Sequence, residues 1–152
     1  MLEVLAQVSE VIASVGILLA VVSLTKEIRS QNLNNFFYLH EYLSQLDFSS
    51  ARKHVRTTLY KKPYEQWSEQ DRQDGNQVCA SYDQAGILLN NGIIDKKTKK
   101  VFLSSSWGQS IVDQYEALTP FLSDRQTPHL TGEEFFHHFS ELYQAAKKVQ
   151  RR

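Results

Sequence analysis

The pattern of apolar and polar positions separates an uncharged N-terminal segment from a series of amphipathic helices. Residues 2–24 are mostly apolar, and residues 11–24 carry no charged side chain. At about 1.5 Å per residue, a helix of this length reaches roughly 34 Å, and the hydrocarbon core of a bilayer is about 30 Å thick. We therefore predict a transmembrane helix over residues 1–25.

Two other interpretations of this segment compete with a membrane helix, because Glu3 and Glu10 weaken its apolar character. A signal peptide would have a basic start and a small-residue cleavage site, and the segment has neither. A helix buried in a soluble oligomer is the second alternative. Lys26 and Arg29 follow the apolar run, whereas no basic residue precedes it. By the positive-inside rule, we predict a single-pass protein of the inner membrane with its C-terminal domain in the cytoplasm.

Small residues recur within this segment at spacings of three and four. They form a seam on one helix face, with Glu10 beside it: Ala6, Ser9, Ala13, Gly16, Ala20 and Ser23. Small residues let helix backbones approach closely in a membrane, and heptad-like spacing favours left-handed packing. We hypothesise that the helix forms a homo-oligomer in which Glu10 is shared. The alternative is that small residues are simply common in membrane helices and that Glu10 is interfacial.

Helical spacing of apolar residues continues to the end of the chain, and no segment alternates like a strand. Residues 26–46 contain no Pro or Gly, which predicts a helical stalk before a cytoplasmic helical domain over residues 47–152. The fold class is therefore all-α, with the transmembrane helix continuing into a small helical bundle. Within the domain we predict helices over residues 50–60, 69–90, 106–121 and 131–149.

Local signals mark the ends of these helices. Ser68 followed by Asp71 is typical of an N-cap, and Asn91-Gly92 is a stop signal. Thr131 with Glu134 forms a capping-box pattern before the closing aromatic helix. Residues 96–100 are predicted to be a solvated connection, and Pro120 predicts a kink or an end.

Composition narrows the classes of function. The chain has 17 basic and 17 acidic residues and a net charge of zero, which argues against a nucleic-acid binder. Cys79 is the only cysteine, so no intrachain disulfide forms. It lies on the apolar side of a predicted helix, which favours a buried inert thiol over a nucleophile. Glu134 and His137 match half of a helical di-metal motif, but the second half is missing. We predict no metal, no cofactor and no catalytic residue.

Basic side chains are the remaining candidates for chemistry. Arg52, Lys53 and Arg56 share one face of a predicted helix, and a second cluster lies within residues 96–100. Such groups bind a phosphorylated ligand or anionic lipid head groups. The alternative is a solvated face with no specific ligand.

Several segments together resemble one protein family. They are SLTKEIRSQN after the apolar run, SSARKHVRTTLY, VCASYDQAGILLNNGIID and SWGQSIVDQYEALTPFL. The chain resembles the DUF4760 family of small, uncharacterised bacterial membrane-anchored helical proteins. The resemblance implies an N-terminal membrane helix and an α-helical domain, and it implies no activity.

The residues of these segments are first given a structural interpretation. Gly86 is predicted to permit close helix packing, and Trp67 and Trp107 to lie in the core. Arg52 and Arg125 are expected to pair with Asp83 or Asp95 inside the bundle. A ligand pocket would have the same composition, so the candidate ligand-binding residues are Arg52, Arg56, Trp67, Asp83, Trp107 and Arg125.

Three functional hypotheses follow. The first is a non-enzymatic, membrane-anchored interaction or regulatory domain that oligomerises through its membrane helix and binds a protein partner. The second is a membrane effector gated by a small anionic or nucleotide signal. The third is a hydrolase, which ranks lowest because no nucleophile–base pair is visible in the sequence.

Overall fold

Every regular element in the described part of the chain is a helix, which confirms the all-α prediction. This computed structural model describes residues 2–124 and 132–151, and it describes side chains for residues 19–124 and 134–151. Two 3₁₀ turns, Leu59–Lys61 and Tyr64–Gln66, accompany the α-helices. These are α1 (Leu2–Leu43), α2 (Leu46–Thr57), α3 (Glu69–Asn90), α4 (Lys96–Ser104), α5 (Ser106–Asp124), α6 (Gly132–Phe135) and α7 (His137–Gln150).

The chain divides into two units, Met1–Asn34 and Asn35–Arg152. In the first unit the apolar side chains of α1 from Leu19 onward are exposed. Most of the predicted seam (Ala6, Ser9, Glu10, Ala13 and Gly16) lies outside the described side chains, and Ala20 and Ser23 are exposed. Within the described part of the chain, no helix combines the length and the apolar character that a membrane crossing needs. The transmembrane helix stays a prediction.

The core of the second unit is built around α3, which packs against α2 and α7, while α5 also packs against α7. Apolar residues at helical spacing give α3 its buried side: Val78, Cys79, Tyr82, Ala85 and Leu89. The predicted stalk ends in this core, because Leu39 and Leu43 of α1 are completely buried. Cys79 is also completely buried, as its position on the apolar side of the helix predicts.

Both ends of α3 follow the local signals in the sequence. The hydroxyl of Ser68 accepts the N–H of Asp71, and the Asp71 carboxylate accepts the N–H of Ser68 at 2.8 Å. The helix ends at Asn90, and Gly92 has a φ of +74°. Glycine adopts this left-handed conformation without the steric cost that a Cβ adds. The predicted start and stop of α3 are therefore confirmed.

Gly86 allows α3 and α7 to approach each other closely. A Cβ at this position would lie 2.5 Å from the backbone oxygen of His138 and 2.7 Å from its carbonyl carbon. Backbone atoms cannot move aside as a flexible side chain can, so only glycine fits here. The prediction for Gly86 is confirmed.

The predicted connection over residues 96–100 is wrong, because this segment is the first half of α4. Asp95 caps the helix by accepting the N–H groups of Lys97 and Thr98 at 2.8 and 2.9 Å. Phe102 and Leu103 then bury the apolar side of the helix. The run of lysines concealed a short helix whose apolar residues all lie in its second half.

The predicted helix over residues 131–149 is interrupted at Phe136, whose φ of −109° and ψ of 51° lie outside the helical region. Phe136 is buried in the core, whereas Phe135 is 45% exposed. The capping residue Thr131 lies outside the described residues. In α5, by contrast, the helix continues through Pro120 to Asp124, so it does not end at the proline.

Candidate functional site

A cavity of about 320 Å³ lies where α2 meets the start of α5. Its wall consists of three cationic side chains, three hydroxyl side chains and one aromatic ring: Ser49, Arg52, Lys53, Arg56, Ser106, Trp107 and Ser110. No carboxylate is among these described lining residues. We call it the Arg52 cavity, and its composition is that of a site for an anion.

Arg52 is the least exposed charged group in this wall, at 8% exposure. Its Nη2 donates a hydrogen bond to the backbone carbonyl of Leu43. The guanidinium carbon lies 5.2 Å from the ring centroid of Trp107 and 5.7 Å from that of Tyr82. Nη1 is buried and has no hydrogen-bond partner in the described part of the protein. A buried donor without an acceptor is costly, and more so when it belongs to a charged group.

The electrostatic state of Arg52 follows from its surroundings. Burial lowers the pKa of the Arg52 guanidinium, and the nearby Tyr82 raises it. Arginine nevertheless keeps its proton in proteins, so the cavity wall carries a permanent positive charge. Burial also raises the pKa of Tyr82, whose hydroxyl lies 2.9 Å from the hydroxyl of Ser110. The phenol is therefore neutral and does not compensate the charge of the guanidinium.

Trp107 positions the guanidinium of Arg52. Its ring is nearly parallel to that of Phe102, at 13° and 6.0 Å between centroids, and it also carries the guanidinium of Arg52. His40 of α1 meets the same ring edge-on at 5.8 Å. Because the indole already has these partners, it serves as a support for Arg52 rather than as a platform for a nucleobase. The cavity therefore suits a compact anion better than a stacked ring.

The start of α5 contributes the opposite wall. Ser105 caps this helix, since its hydroxyl accepts the N–H of Trp107 at 3.2 Å. The start of α5 at Ser106 agrees with the predicted helix over residues 106–121. Ser106 and Trp107 consequently lie in the first turn, where the helix macrodipole adds partial positive charge.

Gln114 of α5 hydrogen-bonds to the backbone of α2 and so links the two helices that form the cavity. It was not among the residues predicted from the sequence. Its side chain is 1% exposed, and its Nε2 donates to the backbone carbonyl of Arg52 at 2.9 Å. The signal in the sequence is a polar residue on an otherwise apolar face, between Ile111, Tyr115 and Leu118. Buried polar groups of this kind normally have a hydrogen-bonding reason.

The structure brings three of the six predicted ligand-binding residues together, namely Arg52, Arg56 and Trp107. Trp67 lies in the core elsewhere: its Nε1 donates to the carbonyl of Lys62 at 3.1 Å, and its ring stacks on Phe121. Neither contact involves the cavity.

The expected pairing of Arg52 with Asp83 or Asp95 is wrong. Asp83 accepts the N–H of Phe139 at 3.1 Å near the start of α7, and Asp95 caps α4. Both carboxylates satisfy backbone donors at helix starts, while Arg52 contacts aromatic rings and a carbonyl. The remaining candidate, Arg125, lies outside the described residues.

A larger but shallower cavity of about 530 Å³ lies beside α2 and α3. His54 and Asp74 line this cavity, and the two ring nitrogens of His54 each lie 3.1 Å from a carboxylate oxygen, one of Asp74 and one of the neighbouring Asp71. Lys62 donates to Asp71 at 2.6 Å. This bond and the N–H of Ser68 lower the pKa of Asp71 to about 2. Because the lining of the larger cavity includes the carboxylates of Asp47 and Asp74, which repel an anion, and the lining of the Arg52 cavity includes none, we favour the Arg52 cavity as the candidate site.

Comparison with known proteins places the chain in a family. The family model described as a domain of unknown function, DUF4760, matches residues 10–146. No curated protein and no solved structure matches the chain. The matched range includes α2, α3, α4 and α5 and therefore the whole wall of the Arg52 cavity. The chain belongs to the DUF4760 family.

Proposed function

We propose that this chain is a membrane-anchored regulatory domain that binds a small anion in the Arg52 cavity. The observation that carries the proposal is the buried Nη1 of Arg52, which lacks an acceptor in the described part of the protein. An oxyanion supplies acceptors for this nitrogen. Charge-assisted hydrogen bonds between guanidinium and carboxylate or phosphate oxygens are among the stronger polar contacts in proteins.

The other lining residues favour the same class of ligand. Lys53 and Arg56 are exposed at the rim of the cavity, where they attract an anion from solution and add to its binding. The hydroxyls of Ser49, Ser106 and Ser110 offer further donors to its oxygens. A single phosphate, or a phosphate group on a small molecule, fits this set of donors and charges.

Membrane anchoring rests on the sequence of α1. Residues 11–24 carry no charge, and the side chains of Leu19, Val22 and Leu24 are each more than half exposed. Lys26 and Arg29 follow them, an arrangement that puts the domain on the cytoplasmic side. The small-residue seam then assembles the chains into an oligomer. In this proposal the anion regulates a membrane-bound oligomer, which combines the first two functional hypotheses.

Binding of inorganic phosphate to the full-length protein in detergent tests the cavity. Calorimetric titration should show saturable binding, and Arg56→Gln should weaken it by about tenfold, since losing one cation from a phosphate site removes about 1.4 kcal/mol. At a phosphate concentration 100 times the Kd, the protein should gain about 2.7 kcal/mol of stability.

Lys100→Gln is the matched control for Arg56→Gln. It removes one positive charge from an exposed position on α4, away from the cavity lining. The proposal is wrong if the wild-type protein binds no phosphate, or if Lys100→Gln weakens binding as much as Arg56→Gln does. The second result would show a response to net charge alone.

The anchor and the seam are tested together by Gly16→Leu. The wild-type chain should remain with the membrane pellet after alkaline extraction and should crosslink as a defined oligomer. A leucine at the seam keeps the segment apolar but blocks close helix approach, so the variant should stay in the pellet and become monomeric. Ile12→Leu, a substitution between apolar residues of similar size outside the seam, is the control that keeps the oligomer. A monomeric wild-type chain would contradict oligomerisation through the seam. Complete release of the wild-type chain from the pellet by alkaline extraction would contradict the membrane anchor.

A further inference from the structure

We infer that an anion in the Arg52 cavity stabilises the C-terminal end of α1 through the guanidinium of Arg52. This inference rests on the proposed function, because it requires that the cavity binds an anion. It adds a regulatory consequence, since a ligand held by α2 and α5 changes the stability of a different helix.

The link begins at the last residue of α1. Leu43 ends the helix, and the last four carbonyls of any α-helix have no N–H donor within the helix itself. Arg52 supplies a donor for Leu43, because its Nη2 donates to the Leu43 carbonyl. The following amides complete the end of the helix: Ser44 N–H bonds to the carbonyls of His40 and Glu41 at 3.0 and 3.1 Å, and Gln45 N–H to that of Tyr42 at 3.3 Å.

The two terminal nitrogens of the Arg52 guanidinium therefore differ in their hydrogen bonding. Nη2 holds the end of α1, whereas Nη1 is buried without an acceptor in the described part of the protein. An anion that binds Nη1 does not have to break the bond to Leu43. Because the guanidinium is planar and rigid, fixing one nitrogen also fixes the other, and the second hydrogen bond then costs less entropy.

The rest of Arg52 is held in place, so the effect is directed towards α1. The Nε2 of Gln114 donates to the backbone carbonyl of Arg52 at 2.9 Å, and Trp107 and Tyr82 flank the guanidinium. A second contact also joins the cavity wall to α1, because His40 of α1 meets the ring of Trp107 edge-on. Two side chains of the cavity wall, Arg52 and Trp107, thus contact the last two turns of α1.

This coupling matters because α1 is also the helix that carries the predicted membrane segment. Coupling between two sites requires an element that both of them bias. The end of α1 meets this requirement on the side of the cavity, since the carbonyl of Leu43 accepts a hydrogen bond from Arg52.

Hydrogen exchange on the full-length protein in detergent tests the coupling. Exchange is followed by mass spectrometry with and without saturating inorganic phosphate, and sodium chloride keeps the ionic strength equal. Phosphate should slow exchange of the amides of residues 43–45 about fivefold or more, the lower end of typical coupling energies. The amide of Arg151, which bonds to the carbonyl of Lys147 in α7, should not change.

Two variants distinguish coupling between the cavity and the end of α1 from phosphate binding itself. Arg52→Lys keeps one positive charge but cannot hold a carbonyl and an anion with a rigid pair of nitrogens, so phosphate should no longer slow exchange at residues 43–45. Lys100→Gln, which lies away from the cavity lining, should retain the full slowing. If Arg52→Lys fails to fold, the wild-type protein still decides, because phosphate must slow exchange at residues 43–45 and leave the amide of Arg151 unchanged.

The possible failures are distinct. If phosphate binds and exchange at residues 43–45 is unchanged or faster, the inference is overturned and the proposed function stands. If exchange slows equally at Arg151, the effect is global stabilisation and the inference is again overturned. If calorimetry detects no phosphate binding, the proposed function fails and the inference fails with it.

Discussion

Phe139→Ala is expected to lower the free energy of unfolding by about 3–5 kcal/mol, the range for large aromatic truncations in a packed core. Phe139 is completely buried. Its ring stacks on Tyr82 at 5.2 Å and meets Tyr115 edge-on at 5.0 Å. Truncation therefore leaves a cavity where α3, α5 and α7 meet and removes two aromatic contacts. Urea denaturation followed by circular dichroism measures the loss.

Phe135→Ala is the matched control, because it removes the same atoms four residues earlier. Phe135 is 45% exposed, so its truncation should cost less than about 1 kcal/mol. Equal losses for the two variants would contradict the break at Phe136, since an unbroken helix would place the two phenylalanines on the same buried face.

Gly86→Ala should destabilise the protein by about 2–3 kcal/mol, within the range for overpacked cores. In most helix interiors this substitution is favourable by about 0.5–1 kcal/mol, because glycine loses more backbone entropy on folding. The sign reverses here because the new Cβ would lie 2.5 Å from the backbone oxygen of His138. The helices α3 and α7 must separate to accept it. Thermal and urea denaturation both report the change.

Gly75→Ala in the same helix provides the comparison. The nearest atom to its new Cβ is Cδ2 of Leu118 at 3.2 Å, the end of a flexible side chain. A small rotamer change accommodates it, and the gain in helix propensity offsets the cost, so we expect a change within about 1 kcal/mol. A stable Gly86→Ala variant would show that α3 and α7 do not approach as closely as described.

The sequence predicted best the features that neighbouring residues determine. The capping box at Ser68 and the stop at Asn91-Gly92 need only residues within a few positions, and both helix ends lie where expected. The short helix α4 and the break at Phe136 were not predicted. The start of α4 has a local signal in its N-cap Asp95, which the run of lysines after it obscured, whereas the aromatic-rich run of the last helix contains no signal for the break at Phe136.

The residues of the candidate site also differ in how far the sequence alone predicts their positions. Arg52 and Arg56 share a cavity because a spacing of four places them on one face of α2, which the sequence shows directly. Trp107 joins them only through packing of α5 on α2. Trp67 and Asp83 lie outside the lining of this cavity, and they hydrogen-bond to the backbone carbonyl of Lys62 and the backbone N–H of Phe139. Hydrogen bonds from a side chain to a backbone group leave no pattern in the sequence.

The position of α7 in the chain also has a consequence during synthesis. Phe139, Leu142 and Tyr143 cover the sides of α3 and α5, yet they are translated after both of those helices. At roughly 5–20 residues per second, the ribosome exposes the apolar faces of α3 and α5 for several seconds before α7 emerges to cover them. The nascent chain therefore passes through an interval in which it needs protection from aggregation, and folding of the core is completed only when α7 docks.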